Sequence, residues 1–407
     1  MIELPQGADG WARWPPQTEA IAQALQGAWA SGEWGKYDSP VHARCVDTVT
    51  QAMSMSMSMS SESVAAISPL WQFYLDRMEP PPLIRLCSSG TAAVELALRC
   101  CGVVAGDEVV VAAYDYPGNF RCIELLGATP VLADVRPRGV TMDPQSLREI
   151  EGDDIKGVVV SHLYGELADI LAIREICDQR NWWLIEDACQ VPGAGWEVGK
   201  DPSSSTFAPV GCLADCATLS FGGSKLLSAG NGGAIFTRDP RLHSRLRSFL
   251  DRPSDMLPLS ALQCAVLIPQ WGMLDELNRR RCDMVSRLRG WDWTRLGAAP
   301  ISMAVGGPMA VRGQTNAHYK FAVQAKDASG RALLLQRLRS IGLPVGEGFR
   351  SMHGTSGRRS RKPVSLVHSQ LLGERCLVID HRALLANDLI ERLDQACITD
   401  GESGPVS

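Results

Sequence analysis

From Leu83 onward, short apolar runs of strand length alternate with amphipathic stretches of helix length. Residues 84–87, 108–113, 129–135, 156–161, 182–185, 217–221 and 234–237 read as strands, because they are short, apolar and bounded by loop signals. The stretches after Ser89, Asn119 and Ala168 read as helices. Strand–helix alternation predicts the α/β class, with a mostly parallel sheet flanked by helices. Before this region, Thr18 precedes a helical pattern (Ile21, Leu25, Ala28, Trp29) that Gly32 can end, and residues 41–49 form a second short helix. After it come a helix up to Leu250 and a long one over 260–288, with a kink expected at Pro269 and a solvated charged face over 275–281. A hinge at 310–313, a strand over 319–324 and helices over 331–341 and 387–397 predict a smaller C-terminal α+β domain.

Five segments follow from this pattern: an N-terminal helical segment (1–50), an insertion with linker (51–82), a large α/β domain (83–255), a connecting helix (256–300) and the small domain (301–407). The insertion opens with Met53-Ser54 repeated through Ser60. Its alternation has the period of a strand, but dipeptide tracts are low-complexity sequence and methionine is a weak strand former. It reads as an exposed insertion without chemistry.

Composition narrows the classes. The 407 residues are 45% hydrophobic and 21% charged, ordinary for a soluble globular chain. A net charge of −5 offers no electrostatic case for nucleic acid or an anionic membrane. No apolar run reaches membrane-spanning length, and residues 1–11 lack a basic region followed by an apolar one. The 13 cysteines are an odd number scattered through apolar segments. Only Cys212 and Cys216 have ligand-like spacing, and nothing completes a metal site around them. Buried free thiols in a reducing cytoplasm are the reading that results.

Three places carry candidate chemistry. Ser88-Ser89-Gly90-Thr91-Ala92 joins a strand to a helix start, where free amides and the positive end of the dipole favour an anion. Ser89 or Thr91 also suits a purely structural cap. Asp187 ends a strand, on the edge where α/β sheets bind ligands. Lys225 lies in a small-residue loop bounded by Gly230, Gly232 and Gly233, where a desolvated amine becomes a nucleophile. His162 reads as a satisfied structural histidine, and Arg350, Arg358, Arg359, Arg361 and Lys362 as a loose basic loop. Pyridoxal phosphate needs this set together: a phosphate seat, a carboxylate for the pyridine nitrogen and a lysine for the aldehyde. Tyr116, on a loop, offers a face for the ring.

The motifs SSGTAAVELAL, GDEVVVAAYDYPGNF, GATPVLADV, SHLYG, IEDACQVPGA, LSFGGSKLLSAGNGG and PLSALQCA also stand in the order found in the DegT-type sugar aminotransferases, which this chain resembles over roughly residues 32–281. The resemblance implies the pyridoxal-phosphate-dependent transferase fold of type I, with Lys225 forming the internal aldimine and Asp187 pairing with the pyridine nitrogen. It implies that Gln190 lies against the ring near its hydroxyl, that Tyr116 stacks on the other face, and that Gly90, Thr91, Ala92 and Ser220 hold the phosphate. Transfer of an amino group from glutamate or glutamine to a keto sugar or keto-cyclitol, in a homodimer with shared active sites, is the activity implied. Three departures stand out. Met256-Leu257-Pro258 replaces the family's Asn-Tyr-Arg, whose asparagine reaches the partner's phosphate; Asn231 replaces a glutamate; and Pro192 replaces a histidine. A sugar dehydratase on this scaffold carries histidine where Lys225 stands, which argues against that alternative. A non-catalytic regulatory or structural member would not need Lys225, Asp187, Gln190 and Ser220 together.

Overall fold

The computed structural model describes residues 2–54, 80–198, 206–250, 255–301 and 311–398. Most of the Met-Ser tract therefore lies outside the described residues. Fourteen strands are described: β1 (Leu83–Cys87), β2 (Glu108–Ala112), β3 (Thr129–Ala133), β4 (Ile155–Ser161), β5 (Trp183–Asp187), β6 (Gly195–Val198), β7 (Thr206–Pro209), β8 (Cys216–Ser220), β9 (Gly233–Thr237), β10 (Ala298–Pro300), β11 (Val311–Thr315), β12 (Lys320–Ala325), β13 (Val345–Glu347) and β14 (Cys376–Asp380). A seven-stranded sheet runs in the order β1-β9-β8-β5-β4-β2-β3. Six of its strands point one way and β9 opposes them, being antiparallel to both β1 and β8. Runs such as Val109-Val110-Val111 and Val158-Val159-Val160 are fully buried, as strands covered on both faces must be.

Helices α1 (Glu19–Ala30), α2 (Pro40–Ala52), α3 (Gly90–Cys100), α4 (Pro117–Leu125), α5 (Pro144–Arg148), α6 (Ile170–Arg180) and α7 (Pro240–Leu250) accompany this sheet. Their ends are set locally. Ser89 Oγ accepts the Ala92 amide at the start of α3, Asp169 accepts that of Ala172 at the start of α6, and Asn181 closes α6 with a φ of 55°. Apolar cores cover both sheet faces. The 30-residue α8 (Ala261–Gly290) continues through Pro269 rather than ending there, and a Ser260–Gln263 capping box starts it.

A second, four-stranded antiparallel sheet (β10-β12-β14-β13) packs with α9 (Ala328–Ser340) and α11 (Leu389–Ile398) around its own core; α10 (Val367–Arg375) leads into β14. β11 instead pairs with β6 in a three-stranded sheet.

Three expectations are corrected. Residues 311–315 are a strand, not a hinge. The charged face over 275–281 is only partly solvated: Arg281 is buried under Trp14 where residues 2–14 cross α8, and Asn278 is buried where it donates to the Pro192 carbonyl at 3.0 Å. Ile2 donates its amide to Glu276 at 2.7 Å and accepts from Arg280 at 2.9 Å, while Trp11 reaches the Gly342 carbonyl at 2.8 Å. The basic loop is not loose either. Arg361 bridges to β3 by backbone and grips Glu108 with two nitrogens, and Arg359 grips Glu124 with two. All 13 cysteines are free and 11 are buried.

Candidate active site

The carboxyl ends of β1, β2, β4, β5 and β8, with the start of the opposed β9, meet at one edge of the large sheet. A cavity of about 340 Å³ opens there, lined by Gly90, Thr91, Tyr116, Asp187, Gln190, Ser220 and Lys225 among others. Seven of the eight residues expected from sequence thus converge. The eighth, Ala92, is buried behind the lining, and its amide is already taken by Ser89 Oγ at 3.0 Å.

The start of α3 sits hard against β8 and β9. A Cβ on Gly90 would lie 2.6 Å from Ser220 Cβ and 3.0 Å from Cys189 Sγ, and one on Gly233 would lie 2.5 Å from the Ser89 carbonyl. Only glycine permits this approach. It brings the first helical turn, whose Gly90 and Thr91 amides lack intrahelical partners, up against Ser220.

Asp187 is held on every side. Its Oδ2 accepts from Asn119 Nδ2 at 2.8 Å and from Ser161 Oγ at 3.3 Å, and its Oδ1 accepts the Cys189 amide at 3.0 Å. Ser161 Oγ lies 2.9 Å from a second carboxyl, Asp115, which also accepts the Tyr116 amide at 2.6 Å. Burial first, and then the Asp187 charge, push Asp115 up to about 7. Asp115, Asn119 and Ser161 were not singled out from the sequence. They are single polar residues at the ends of different elements, with no spacing to betray them. His162 is a satisfied structural residue, as expected: Nε2 donates to Glu186 at 2.7 Å and Nδ1 accepts the Ala168 amide at 2.9 Å.

Lys225 sits in a loop pinned from behind. Its amide donates to Gly222 O at 2.9 Å, and its carbonyl accepts Trp14 Nε1 at 2.7 Å. Gln270 of α8 holds Ser228 through both its amide and its carbonyl, and Gln263 donates to the Asn231 carbonyl at 2.8 Å. The ammonium stands 4.6 Å from the Tyr319 ring centroid and 5.9 Å from that of Tyr116.

The opposite wall comes from the smaller sheet and was not read from sequence. Tyr319, Lys320 and Phe349 line it. Phe349 stacks on Tyr164 at 5.5 Å and meets Tyr116 edge-on at 5.9 Å, and its amide donates to the hydroxyls of Tyr114 and Tyr164. Tyr164 has the rare φ of 61°, and its amide donates to Gln190 Oε1 at 2.9 Å. That contact leaves the Gln190 NH₂ as the donor free to face the cavity.

A family model described as the DegT/DnrJ/EryC1/StrS aminotransferase family matches residues 86–396. The chain belongs to that family. Members of the DegT/DnrJ/EryC1/StrS family that act as aminotransferases use pyridoxal phosphate. The chain is similar to an L-glutamine:2-deoxy-scyllo-inosose aminotransferase of Streptomyces kanamyceticus, 30% identical over 67% of this chain and 62% of the relative. It is also similar to a GDP-perosamine synthase of Caulobacter vibrioides, 37% identical over 40% of this chain and 41% of the relative. In both cases the match spans less than two thirds of the relative's own length. The crystal structure of 3-amino-5-hydroxybenzoic acid synthase shares the fold, with a TM-score of 0.76 over 98% of this chain and all of the other, at 23% identity. The cavity fits the family's cofactor on its own terms. A helix start with no room for a Cβ, a carboxylate fully oriented by three donors and a lysine all face one space.

Proposed function

We propose that the chain is a pyridoxal-phosphate-dependent aminotransferase that moves an amino group from glutamine or glutamate to a keto sugar or keto-cyclitol. The observation that carries this reading is the convergence of the α3 start, Asp187 and Lys225 on one cavity. When bound, the cofactor supplies an electron sink and a carrier for the amino group. Gly90, Thr91 and Ser220 would hold its phosphate, Asp187 its pyridine nitrogen, Gln190 its hydroxyl side, Tyr116 a ring face and Lys225 its aldehyde. Asn119 and Ser161 keep the Asp187 carboxylate aimed, so no reorganisation is needed during turnover. Once its amine is free, Lys225 takes the proton from the donor's α-carbon and returns one to the acceptor's carbonyl carbon. The names of the relatives from Streptomyces and Caulobacter support both acceptor classes, and the first supports glutamine as donor.

The test uses purified full-length protein incubated with pyridoxal phosphate and then borohydride. A visible absorption band and the cofactor's mass on the Lys225 peptide are expected. Protein that stays colourless with added cofactor sinks the reading. Restoration of the band by keto sugars or keto-inositols, after glutamine has converted the cofactor to its amine form, identifies the acceptor.

A homodimer in the cytoplasm belongs to the same proposal, as does the division into domains over 83–255, 256–300 and 301–407. Free thiols throughout support the reducing compartment. No helix among the described residues is long and apolar enough to cross a membrane. Exposed Trp29, Tyr37 and Met256 support a covering second subunit. An active monomer in sedimentation would refute the dimer.

A further inference from the structure

Two lysines line the cavity, and the reading above employs one. Lys225 and Lys320 place their ammonium groups 4.6 and 5.2 Å from the same Tyr319 ring centroid. Ser224 Oγ holds the Tyr319 hydroxyl at 3.0 Å, which fixes the ring that both ammonium groups approach. The Lys320 backbone is fixed too, because it begins β12 and its amide donates to the Tyr164 carbonyl at 3.1 Å. Its ammonium has no carboxylate within ion-pairing distance among the described residues. The nearest candidate by register, Asp380 on β14, is engaged by Arg382 at 3.1 Å and lies 4.0 Å from His381. Asp187, the acid in the lining, already accepts from three donors of the large domain. Lys320 is therefore a cation with no ion-pair partner among the described residues, walled by Tyr116, Tyr319 and Phe349, where an entering anion is strongly attracted.

We propose that Lys320 is the carboxylate anchor of this cavity: its ammonium, which shares the Tyr319 ring with the Lys225 amine, receives the α-carboxylate of the amino donor. The inference rests on the aminotransferase reading for the identity of the donor, but not for the presence of the anion site. A donor α-carbon carries its amine and carboxylate on one atom, so a substrate must meet both ends of a short space at once. Two ammonium groups sharing one aromatic spacer meet that need. A carboxylate on the acceptor is the other possible source of the same chemistry.

The test compares wild type, Lys320→Met and Lys320→Arg as purified full chains, with and without added pyridoxal phosphate. Glutarate, which has the two carboxylates of glutamate and no amine, is titrated by calorimetry. Lys320→Met is expected to weaken it about tenfold to hundredfold, the range of a lost charge-assisted hydrogen bond, and Lys320→Arg to recover most of that. In half-reactions, Lys320→Met raises KM for glutamine by a similar factor while kcat moves far less, and a neutral keto-inositol is affected least. Equal glutarate affinity in all three proteins overturns the proposal, whether or not the protein takes up cofactor. A defect confined to carboxylate-bearing acceptors, with glutamine unaffected, overturns the assignment to the donor. Unchanged melting temperatures separate both results from misfolding.

Discussion

The two walls of the cavity are built on opposite plans. The wall from the seven-stranded sheet is a closed polar network: Asp187, Asn119, Ser161 and Asp115 are buried, and each finds partners within the set or on adjacent backbone. The wall from the four-stranded sheet is aromatic, and its one charge, Lys320, is unpaired among the described residues. Its shape comes from backbone held at a distance, through the Tyr114 and Tyr164 hydroxyls on the Phe349 amide. A saturated network binds one group in one orientation, because any other leaves buried polar atoms unmet. An aromatic wall with one free charge accepts a range of shapes that share a single feature. The division suits a reaction in which a resident group stays and two different substrates alternate.

The largest effect comes from breaking the polar wall. Asp187→Asn keeps the shape and removes the charge, and turnover of the cofactor-loaded protein is expected to fall about 10²–10⁴-fold. Cofactor should still be retained through Lys225 and the α3 start. Single-turnover absorbance with glutamine reads the first part, and dialysis followed by cofactor assay reads the second. A variant within threefold of wild type would show that the network is structural only.

Asp115 offers a smaller and more specific break. The native carboxyl, raised to about 7, holds its proton in a window where an unfolded aspartate, near 4, has already lost it. The native state thus binds more protons between about pH 4 and 7, and this contribution to stability is lost as pH rises through 7. Buried His318 and His381 have the opposite sign. Burial and then neighbouring arginines lower each to about 3, so their contribution is lost as pH falls below 6.5. Asp115→Asn removes only the first slope. Relative to wild type, the variant is expected to gain about 2 kcal/mol between pH 5 and pH 8 in urea unfolding, within the bound set by a two-unit window. Parallel curves for the two proteins would mean that Asp115 does not change charge on unfolding in that range.

The difference between the walls also explains what could be read from the chain. The large sheet is legible because each strand is a contiguous apolar run, and Lys225 because glycines surround it over a few residues. Gly90, Thr91 and Ser220 follow from the same local logic. Asp115, Asn119 and Ser161 join Asp187 only after three segments fold to one edge, and nothing local marks them. Lys320 reads as an ordinary strand residue, and its role depends on Asp380 being occupied elsewhere. Arg281 misled for a related reason. Its helix pattern is that of an exposed face, and residues 2–14, hundreds of positions earlier, provide the cover. Trp14, which caps the Lys225 carbonyl and packs 4.6 Å from His381, belongs to the same cover. Each of these contacts is long in sequence, which periodicity cannot see.

The smallest effect belongs to Phe349, and it separates the walls most cleanly. Phe349→Ala removes the ring stacked on Tyr164 and facing Tyr116 but leaves its amide free to reach both tyrosine hydroxyls. Half-buried aromatic contacts of this kind contribute about 0.5–1.5 kcal/mol beyond their area, so a several-fold rise in KM for substrate is the expected scale. Cofactor affinity should not move, since none of the polar wall's hydrogen bonds involves the lost ring. Titrating pyridoxal phosphate into the variant and into wild type, alongside KM for glutamine and for the acceptor, puts both quantities side by side. Should cofactor affinity fall as far as substrate affinity, the two walls act as one unit, joined through Tyr164, whose amide holds Gln190 while its hydroxyl holds the Phe349 backbone.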